Sequence, residues 1–264
     1  MQHRTVYFLL IFLVFTPFAY AQYQNFEAGI FRTAKGDSLL YRQLNPQKIK
    51  KGERYPLVLF LHGAGERGSD NVSQLRHGAM MFTNPVNREN YPCFAIFPQC
   101  PADLYWPTPK RPDSFKEGNP FPADAEISGP LALTKELLDS LVKTYPVDKG
   151  RIYIVGLSMG GMGTFDMVCR FPDMFAAAIP ICGGINTDRF NHFSSETAFR
   201  IFHGDADSVV PVEFSREAYL KLKAGGADVE YIEFPGVDHG SWEPAFNRTD
   251  FMSWLFNQKK CKQK

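Results

Sequence analysis

Apolar and polar residues along the chain follow two alternating periods, and this alternation predicts a layered α/β protein. Short runs rich in β-branched and aromatic residues are typical of buried strands, and apolar residues at every third or fourth position are typical of helices. Two strand-like runs come first, and strands then alternate with helices, which predicts a mostly parallel sheet. The predicted strands are residues 26–32, 38–44, 55–61, 93–98, 151–155, 175–179, 199–202 and 230–234.

Two helices have the clearest periodicity. Residues 130–145 repeat leucine every four positions, and Pro130 suits the first turn of a helix. Residues 241–256 are predicted to close the chain as one helix. The inward stripe of the closing helix, predicted as core, is Trp242, Phe246, Phe251, Trp254 and Leu255.

Pro180 cannot donate a hydrogen bond to a sheet, so we expect the strand before it to stop there or to loosen at its carboxyl end.

The first 21 residues resemble a secretory signal. Arg4 precedes an apolar run, residues 7–15, and Ala19-Tyr20-Ala21 provides small residues for cleavage before Gln22. The run is too short to span a membrane, so we expect no membrane anchor and a secreted or periplasmic product. Residues 22–264 are then predicted to form a single catalytic domain. Removal of the segment leaves a formal net charge of zero, which does not favour binding to nucleic acid.

Five cysteines leave at least one thiol unpaired. Cys93 and Cys100 are separated by about 23 Å if the chain between them is extended at ~3.3 Å per residue. A disulfide needs Cα atoms within roughly 7 Å. The other three, Cys169, Cys182 and Cys261, show no zinc-ligand spacing, so we predict no disulfide and no metal site.

The candidate chemistry centres on Gly156-Leu157-Ser158-Met159-Gly160. A strand-like run precedes this pentapeptide and a helical segment follows it, which is the context of a nucleophile elbow. Glycine is expected at positions 156 and 160 because a Cβ at either position would collide with the neighbouring strand and helix. The alternative is a plain loop rich in glycine and serine. The context favours Ser158 as a catalytic nucleophile.

A serine nucleophile needs a general base, and His239 is the candidate. It lies in Gly236-Val237-Asp238-His239-Gly240, directly after the last predicted strand and after the acidic candidates. The alternative is a solvated turn histidine. Asp238 is its neighbour in the sequence, and adjacent side chains seldom face each other. We therefore do not assign Asp238 as the acid that orients His239.

The orienting acid is expected in the polar turn at residues 203–211. Asp207 is the first choice and Asp205 is the competitor, since the two share one loop and the residues alone leave both open. The acid that does not orient His239 should stabilise the turn. A metal site formed by His203 with the two aspartates is a weaker alternative, because catalysis at a serine needs no metal. No cofactor is predicted.

The oxyanion of an acyl-transfer reaction needs N–H donors, and residues 61–68 can provide them. Three glycines let this backbone turn its amides inward, so the N–H of Ala64, or less favourably Gly65, can join that of Met159. The alternative for these glycines is a plain tight turn. His62 is expected to brace the loop by hydrogen bonding, and Glu66 with Arg67 to buttress it.

Four motifs together resemble the α/β-hydrolase-fold serine esterases: residues 61–68, 97–101, 156–161 and 179–184. They are similar to a secreted bacterial branch of carboxylesterases that is related to polyhydroxyalkanoate depolymerases and to feruloyl and acetylxylan esterases. The resemblance implies a central sheet with helices on both faces, a site at the carboxyl ends of the strands, and Asp207 as the acid. It also implies an ester substrate, small or carried on a polysaccharide.

The segment from residue 101 to residue 129 contains six prolines and four aromatic residues. We expect it to line the mouth of the site, with Tyr105 and Trp106 as exposed platforms for a sugar ring; the alternative is that these side chains pin the loop to the body of the protein. Acetyl or feruloyl esters of plant polysaccharide are the expected substrates. The competing functions are a serine peptidase of the prolyl-oligopeptidase kind and a binding protein that has lost catalysis.

Overall fold

The computed structural model of the chain describes residues 23–107, 114–115, 120–192 and 196–260. The predicted signal segment, residues 1–21, lies outside the described residues, and so does Cys261. No helix in the described part of the chain is long and apolar enough to cross a membrane.

One eight-stranded sheet organises the described residues. Its strands lie in the order β1-β2-β4-β3-β5-β6-β7-β8. Strand β2 is antiparallel to both of its neighbours, and every other pair is parallel, as the sequence predicted. The strands are β1 (Phe26–Arg32), β2 (Ser38–Leu44), β3 (Tyr55–Leu61), β4 (Phe94–Gln99), β5 (Val147–Leu157), β6 (Ala177–Ile181), β7 (Ala198–Gly204) and β8 (Val229–Phe234).

Helices cover both faces of this sheet, and two hydrophobic cores lie between the layers. The first core receives apolar side chains from the helices Gly129–Thr144, Met159–Arg170 and Glu213–Ala224. The second receives them from the helices Ala79–Thr83, Trp242–Phe246 and Phe251–Asn257. Short 3₁₀ turns lie at Ala64–Glu66, Ser73–Leu75 and Thr187–His192. The helices are α1 (Ala79–Thr83), α2 (Pro85–Asn90), α3 (Gly129–Thr144), α4 (Met159–Arg170), α5 (Glu213–Ala224), α6 (Trp242–Phe246) and α7 (Phe251–Asn257).

Strand β3 shows why the sheet is buried on both sides. All seven of its residues are buried. Because side chains alternate across a strand, Leu57, Leu59 and Leu61 belong to the first core, whereas Val58 and Phe60 belong to the second. Burial on both faces requires an unbroken apolar run, which is the pattern of a central parallel strand.

Strand β6 does not stop before Pro180, so the first of the two outcomes expected for this residue is wrong. The strand continues to Ile181, and Pro180 pairs with Gly156 of β5. The pairing with β7 is interrupted between Ala178 and Ile181. Loss of one N–H donor therefore loosens one side of the strand without ending it.

The closing helix is also not continuous, contrary to the prediction for residues 241–256. It divides into α6 and α7, with residues 247–250 between them. In this break the guanidinium of Arg248 binds Asp250 at 2.9 Å, and Arg200 of β7 reaches the same carboxylate at 3.1 Å. The break therefore places a carboxylate where it can pair with a nearly buried arginine of the sheet.

The four described cysteines are free thiols. Cys93 and Cys100 flank β4 at opposite ends, and both are buried. Burial raises the pKa of both thiols to about 12, so these thiols stay protonated and unreactive at neutral pH.

Candidate active site

The pentapeptide around Ser158 forms a sharp turn between strand β5 and helix α4. Ser158 has φ 53° and ψ −118°, a conformation that a residue with a side chain rarely adopts. A Cβ on Gly156 would overlap the carbonyl of Gly160, and a Cβ on Gly160 would overlap the carbonyl of Leu61. The steric reason predicted for the two glycines is confirmed, and the turn exposes the serine hydroxyl to a cavity above the sheet.

Ser158, His239 and Asp207 lie in one chain of hydrogen bonds. The Nε2 of His239 is 2.9 Å from the Oγ of Ser158, and its Nδ1 is 2.8 Å from Oδ2 of Asp207. A carboxylate can only accept, so Nδ1 carries the proton and Nε2 is left to accept the serine O–H. This is the tautomer that a general base acting on Ser158 needs.

Asp207 is held as a carboxylate by several donors. Its side chain is fully buried, and burial alone would raise its pKa. Hydrogen bonds from His203, from His239 and from the backbone N–H of Val210 outweigh burial and hold the pKa of Asp207 well below its usual range. The N–H of Val209 donates to the same carboxylate at 2.9 Å. The negative charge that orients His239 is therefore fixed in place.

His203 is a site residue whose role the sequence analysis missed. Its Nε2 faces Oδ2 of Asp207 at 3.1 Å and the carbonyl of Val210 at 3.0 Å. Both partners accept, so Nε2 carries the proton and donates to both. The Oγ of Ser215, 2.7 Å away, then donates to Nδ1. The spacing of four residues between His203 and Asp207 is the signal in the sequence that could have indicated this role.

The other two acids near His239 stabilise loops. Asp205 is exposed and accepts the N–H of Gly236 at 2.6 Å. Asp238 accepts the N–H groups of Ser208 and His239, at 2.7 and 2.8 Å. Both aspartates thus tie the loop after β7 to the loop after β8. Of the three acids, Asp207 is the one that contacts the imidazole of His239.

The backbone groups predicted for the oxyanion lie at the starts of two helical turns. Met159 is the first residue of α4, and Ala64 is the first residue of the 3₁₀ turn Ala64–Glu66. The first N–H groups of a helix have no carbonyl partner inside it and point outward from its end. Ala64 lines the same cavity as Ser158. Met159 directly follows Ser158 in the chain. The assignment of these two N–H groups as donors to the oxyanion stays a prediction.

A set of hydrogen bonds braces the loop that carries Ala64. Buried His62 donates from Nδ1 to the carbonyl of Gly63 at 2.6 Å and accepts the N–H of Cys100 at Nε2, at 3.0 Å. Arg67 donates to the carbonyl of Ala64 at 2.9 Å and to that of Leu104 at 3.1 Å. The loop after β3 is thereby tied to the segment that follows β4.

Trp106 is not an exposed platform, and that expectation is corrected. Its side chain is completely buried, and its indole N–H donates to the carbonyl of His62 at 3.1 Å. Tyr105 is 2% exposed and contributes a small part of the cavity wall. Aromatic residues in a proline-rich loop can bury themselves against the protein body, and here they do. The alternative reading, that these side chains pin the loop, describes the structure.

The cavity above Ser158 has a volume of about 250 Å³. Its base carries Ser158 and His239, and most of its wall is apolar or aromatic. Among the described lining residues, Glu66 and His77 carry an acidic and a basic side chain besides His239. The remaining lining residues are Gly63, Ala64, Gly65, Tyr105, Phe115, Leu157, Val209, Val210 and Trp242.

Cys182 lies close to the acid and the base, and its Sγ together with one atom each of Asp207 and His239 falls within a span of 4.8 Å. Burial raises the pKa of this thiol to about 12, so at neutral pH it is protonated, whereas metals bind the thiolate. Asp207 and His239 already bind each other. Cys182 is therefore better explained as a buried thiol packed against Asp207 and His239 than as a metal ligand.

Known proteins are similar to this chain over most of its length. The sequence pattern of the phospholipase/carboxylesterase family matches residues 48–252. A solved thermostable esterase is 38% identical with a TM-score of 0.82, over 91% of this chain and 64% of that one, so this chain spans less than two thirds of that esterase.

Two further relatives match by sequence. Lysophospholipase-like protein 1 of Mus musculus is 24% identical over 222 residues, which is 78% of this chain and 88% of the relative. A bifunctional acetylxylan esterase/xylanase of Neocallimastix patriciarum is 33% identical over 88 residues, 33% of this chain and 12% of that protein. Since the family pattern covers most of the chain, the protein belongs to the phospholipase/carboxylesterase family, whose members are carboxylic ester hydrolases of the α/β-hydrolase fold.

Proposed function

We propose that this protein is a serine carboxylesterase that works through an acyl-enzyme on Ser158. The observation that carries the proposal is the continuous chain of hydrogen bonds from the Oγ of Ser158 through His239 to Asp207, at the base of an accessible cavity. A nucleophile, a base and an acid in this geometry are the requirements for acyl transfer.

In the first half of the reaction Ser158 is acylated. The Oγ of Ser158 attacks the carbonyl carbon of the ester while its proton passes to Nε2 of His239. The carbonyl oxygen becomes an oxyanion, and the N–H groups of Ala64 and Met159 stabilise its charge. His239 then returns the proton to the alcohol oxygen, the C–O bond breaks, and the alcohol leaves.

The second half releases the acid. His239 takes a proton from a water molecule, whose oxygen attacks the acyl carbon on Ser158. The oxyanion forms again and collapses, the bond to Oγ breaks, and His239 gives its proton back to Ser158. Throughout both halves Asp207 stabilises the imidazolium of His239 and keeps the ring in one tautomer.

The proposed substrates are acetyl or feruloyl esters carried on plant polysaccharide. The exported enzyme would hydrolyse them outside the inner membrane. The signal-like pattern of residues 1–21 supports export. The partial similarity to an acetylxylan esterase/xylanase supports a polysaccharide-borne ester. Intact mass of the protein from its native host should show a chain that begins at or near Gln22; retention of Met1 would contradict export.

The reaction is tested with Ser158→Ala and a substrate panel. This variant should lose several orders of magnitude in kcat with its fold intact, because the nucleophile is removed and nothing else changes. Ser253→Ala, in helix α7, is the matched control and should keep full activity. The panel contains acetate esters, feruloyl esters and aminoacyl anilides. Faster release of anilide than of any ester would replace the esterase proposal with a peptidase, and near-normal turnover by Ser158→Ala would reject the assignment of the nucleophile.

A further inference from the structure

Trp242 lies on the cavity wall beside the catalytic base. It packs against the second core, as predicted for the closing helix, and its partly exposed side chain also lines the cavity above Ser158. Its ring meets the ring of His239 edge to face, with centroids 5.5 Å apart at 87°. The chain reaches Trp242 three residues after His239, so the loop that positions the base also positions this indole.

His77 extends the same wall. Its ring centroid is 5.3 Å from that of Trp242 at an angle of 54°, and it also lines the cavity. The Nε2 of His77 is 3.6 Å from Oε1 of Glu66, whose side chain is 6% exposed. Burial lowers the pKa of His77 and raises that of Glu66, and both shifts disfavour charge on the wall. With ring centroids 5.3 Å apart, Trp242 and His77 form adjoining aromatic parts of the cavity wall.

The rest of the lining decides what chemistry this surface suits. Five further side chains of the wall are apolar or aromatic: Tyr105, Phe115, Leu157, Val209 and Val210. A sugar ring in this position would bring several hydroxyls to a wall with few polar side chains, and unpaired hydroxyls are costly to bury. A flat aromatic ring loses nothing there and gains ring contacts. The cavity of about 250 Å³ is also larger than an acetyl group needs.

We infer that Trp242 and His77 are substrate-contacting residues that hold an aromatic ring of the ester beside the scissile bond, and that they determine a preference for aryl-bearing esters. This inference rests on the proposed esterase activity. The ring can belong to the acyl group or to the alcohol, and both kinds of ester share the chemistry that the wall recognises. Ring contacts of this kind, with the apolar area they bury, correspond to a preference of roughly tenfold in kcat/KM.

Three unactivated esters test the inference: methyl cinnamate carries its ring on the acyl side, benzyl acetate on the alcohol side, and ethyl acetate carries no ring. The wild type should hydrolyse all three and prefer at least one ring ester. In Trp242→Leu this preference should fall roughly tenfold, mainly through KM, because kcat/KM for the preferred ring ester should fall about tenfold further than kcat/KM for ethyl acetate. His77→Leu should act in the same direction. Trp254→Leu is the matched control, since Trp254 lies against Arg200 away from the cavity lining.

Each outcome decides the question. A loss shared equally by all three esters would show that Trp242 only positions His239, and an unchanged preference would show that the wall does not contact the ring; either result overturns the inference. The ring ester whose kcat/KM falls more identifies whether the wall holds a ring on the acyl side or on the alcohol side of the scissile bond. If the wild type hydrolysed none of the three, the proposed function would fail first.

A binding measurement covers the case in which Trp242→Leu turns over poorly or unfolds. Calorimetric titration of methyl cinnamate and benzyl acetate into Ser158→Ala gives Kd values without turnover. Adding His77→Leu, or the more conservative Trp242→Phe, to Ser158→Ala isolates each ring. We expect His77→Leu to raise Kd several-fold for the preferred ester, and an unchanged Kd in both double variants would contradict the inference.

Discussion

The Nε2–H of His203 donates to Oδ2 of Asp207 at 3.1 Å, on the side of the carboxylate away from solvent. The same oxygen receives the proton of His239 Nδ1 at 2.8 Å. One carboxylate oxygen thus joins a completely buried histidine to a partly exposed one. The position of the base is therefore set from inside the protein as well as from its own loop.

Removal of the hydrogen bond that His203 donates to Asp207 should weaken catalysis. In His203→Leu, Asp207 loses one charge-assisted hydrogen bond, worth about 1.5–3 kcal/mol, and kcat should fall roughly ten- to a hundredfold with KM little changed. The free energy of unfolding, measured with urea, should fall by a similar amount. Ser215→Ala removes the partner of the other ring nitrogen and leaves the contact with Asp207 in place. The loss of kcat in Ser215→Ala should therefore be small. A loss of kcat equal to that in His203→Leu would argue against this role for His203.

The two aspartates of the loop after β7 should separate sharply in activity. Asp207→Asn offers His239 an amide that can hold the wrong tautomer, and kcat should fall by about 10⁴. Asp205→Asn keeps an oxygen that can accept the N–H of Gly236, so its activity should stay within a few-fold of the wild type. Steady-state kinetics on a small acetate ester measure both. The reverse order of effects would move the acid to Asp205.

The elbow should tolerate no side chain at position 160. In Gly160→Ala the new Cβ would meet the carbonyl of Leu61 at the end of β3, which cannot move without disturbing the oxyanion loop. We expect loss of activity together with a lower melting temperature or insoluble protein. Gly129→Ala is the control, because a Cβ at this first residue of α3 meets nothing within 4 Å. Its melting temperature should equal or exceed that of the wild type, and equal behaviour of both variants would remove the steric explanation.

Stability should fall in mild acid because of His62. Burial lowers the pKa of His62 from 6.5 to about 4. Between these pH values the unfolded chain binds a proton that the folded protein does not, so the free energy of unfolding decreases as the pH falls, by up to roughly 3 kcal/mol. His62→Gln keeps an acceptor for the N–H of Cys100 and should show a shallower pH dependence. Urea unfolding between pH 7 and pH 4.5 measures both slopes, and parallel slopes would exclude this origin.

Much of the sheet could be predicted from the sequence because its strands are strongly apolar. The bounds of β1, β2 and β3 are those predicted. Strand β5 begins at Val147 rather than at residue 151. The prediction missed this first part because it contains the charged residues Asp148 and Lys149 and the glycine Gly150. Its register against β3 is irregular at that point, between Tyr55 and Leu57. A polar, irregular stretch of strand has no period that a sequence can reveal.

Parts of the candidate site were also predictable, and the failures have a common cause. The chemistry of Ser158 and His239 restricts which residues can surround them, so short motifs identify candidates. Trp106 was misplaced, since it is buried rather than exposed. Trp242 packs against the second core as predicted, but it also lines the cavity, which was not predicted. Indole suits a core and a binding wall equally well. Only the packing of the whole chain decides between these environments.

The hydrogen bond from Trp106 to the carbonyl of His62 makes the segment after β4 and the oxyanion loop one mechanical unit, together with the bonds from Arg67 to Ala64 and Leu104. Diversifying residues 101–107 to change the substrate range should therefore also displace the N–H of Ala64. Such variants should change the turnover number as well as the affinity for substrate. The side chain of Val209, which is 39% exposed and lines the cavity, takes no part in those bonds. For engineering of this scaffold, side-chain changes at Val209 that keep its backbone N–H on Asp207 should alter the cavity wall without moving the loop that carries Ala64.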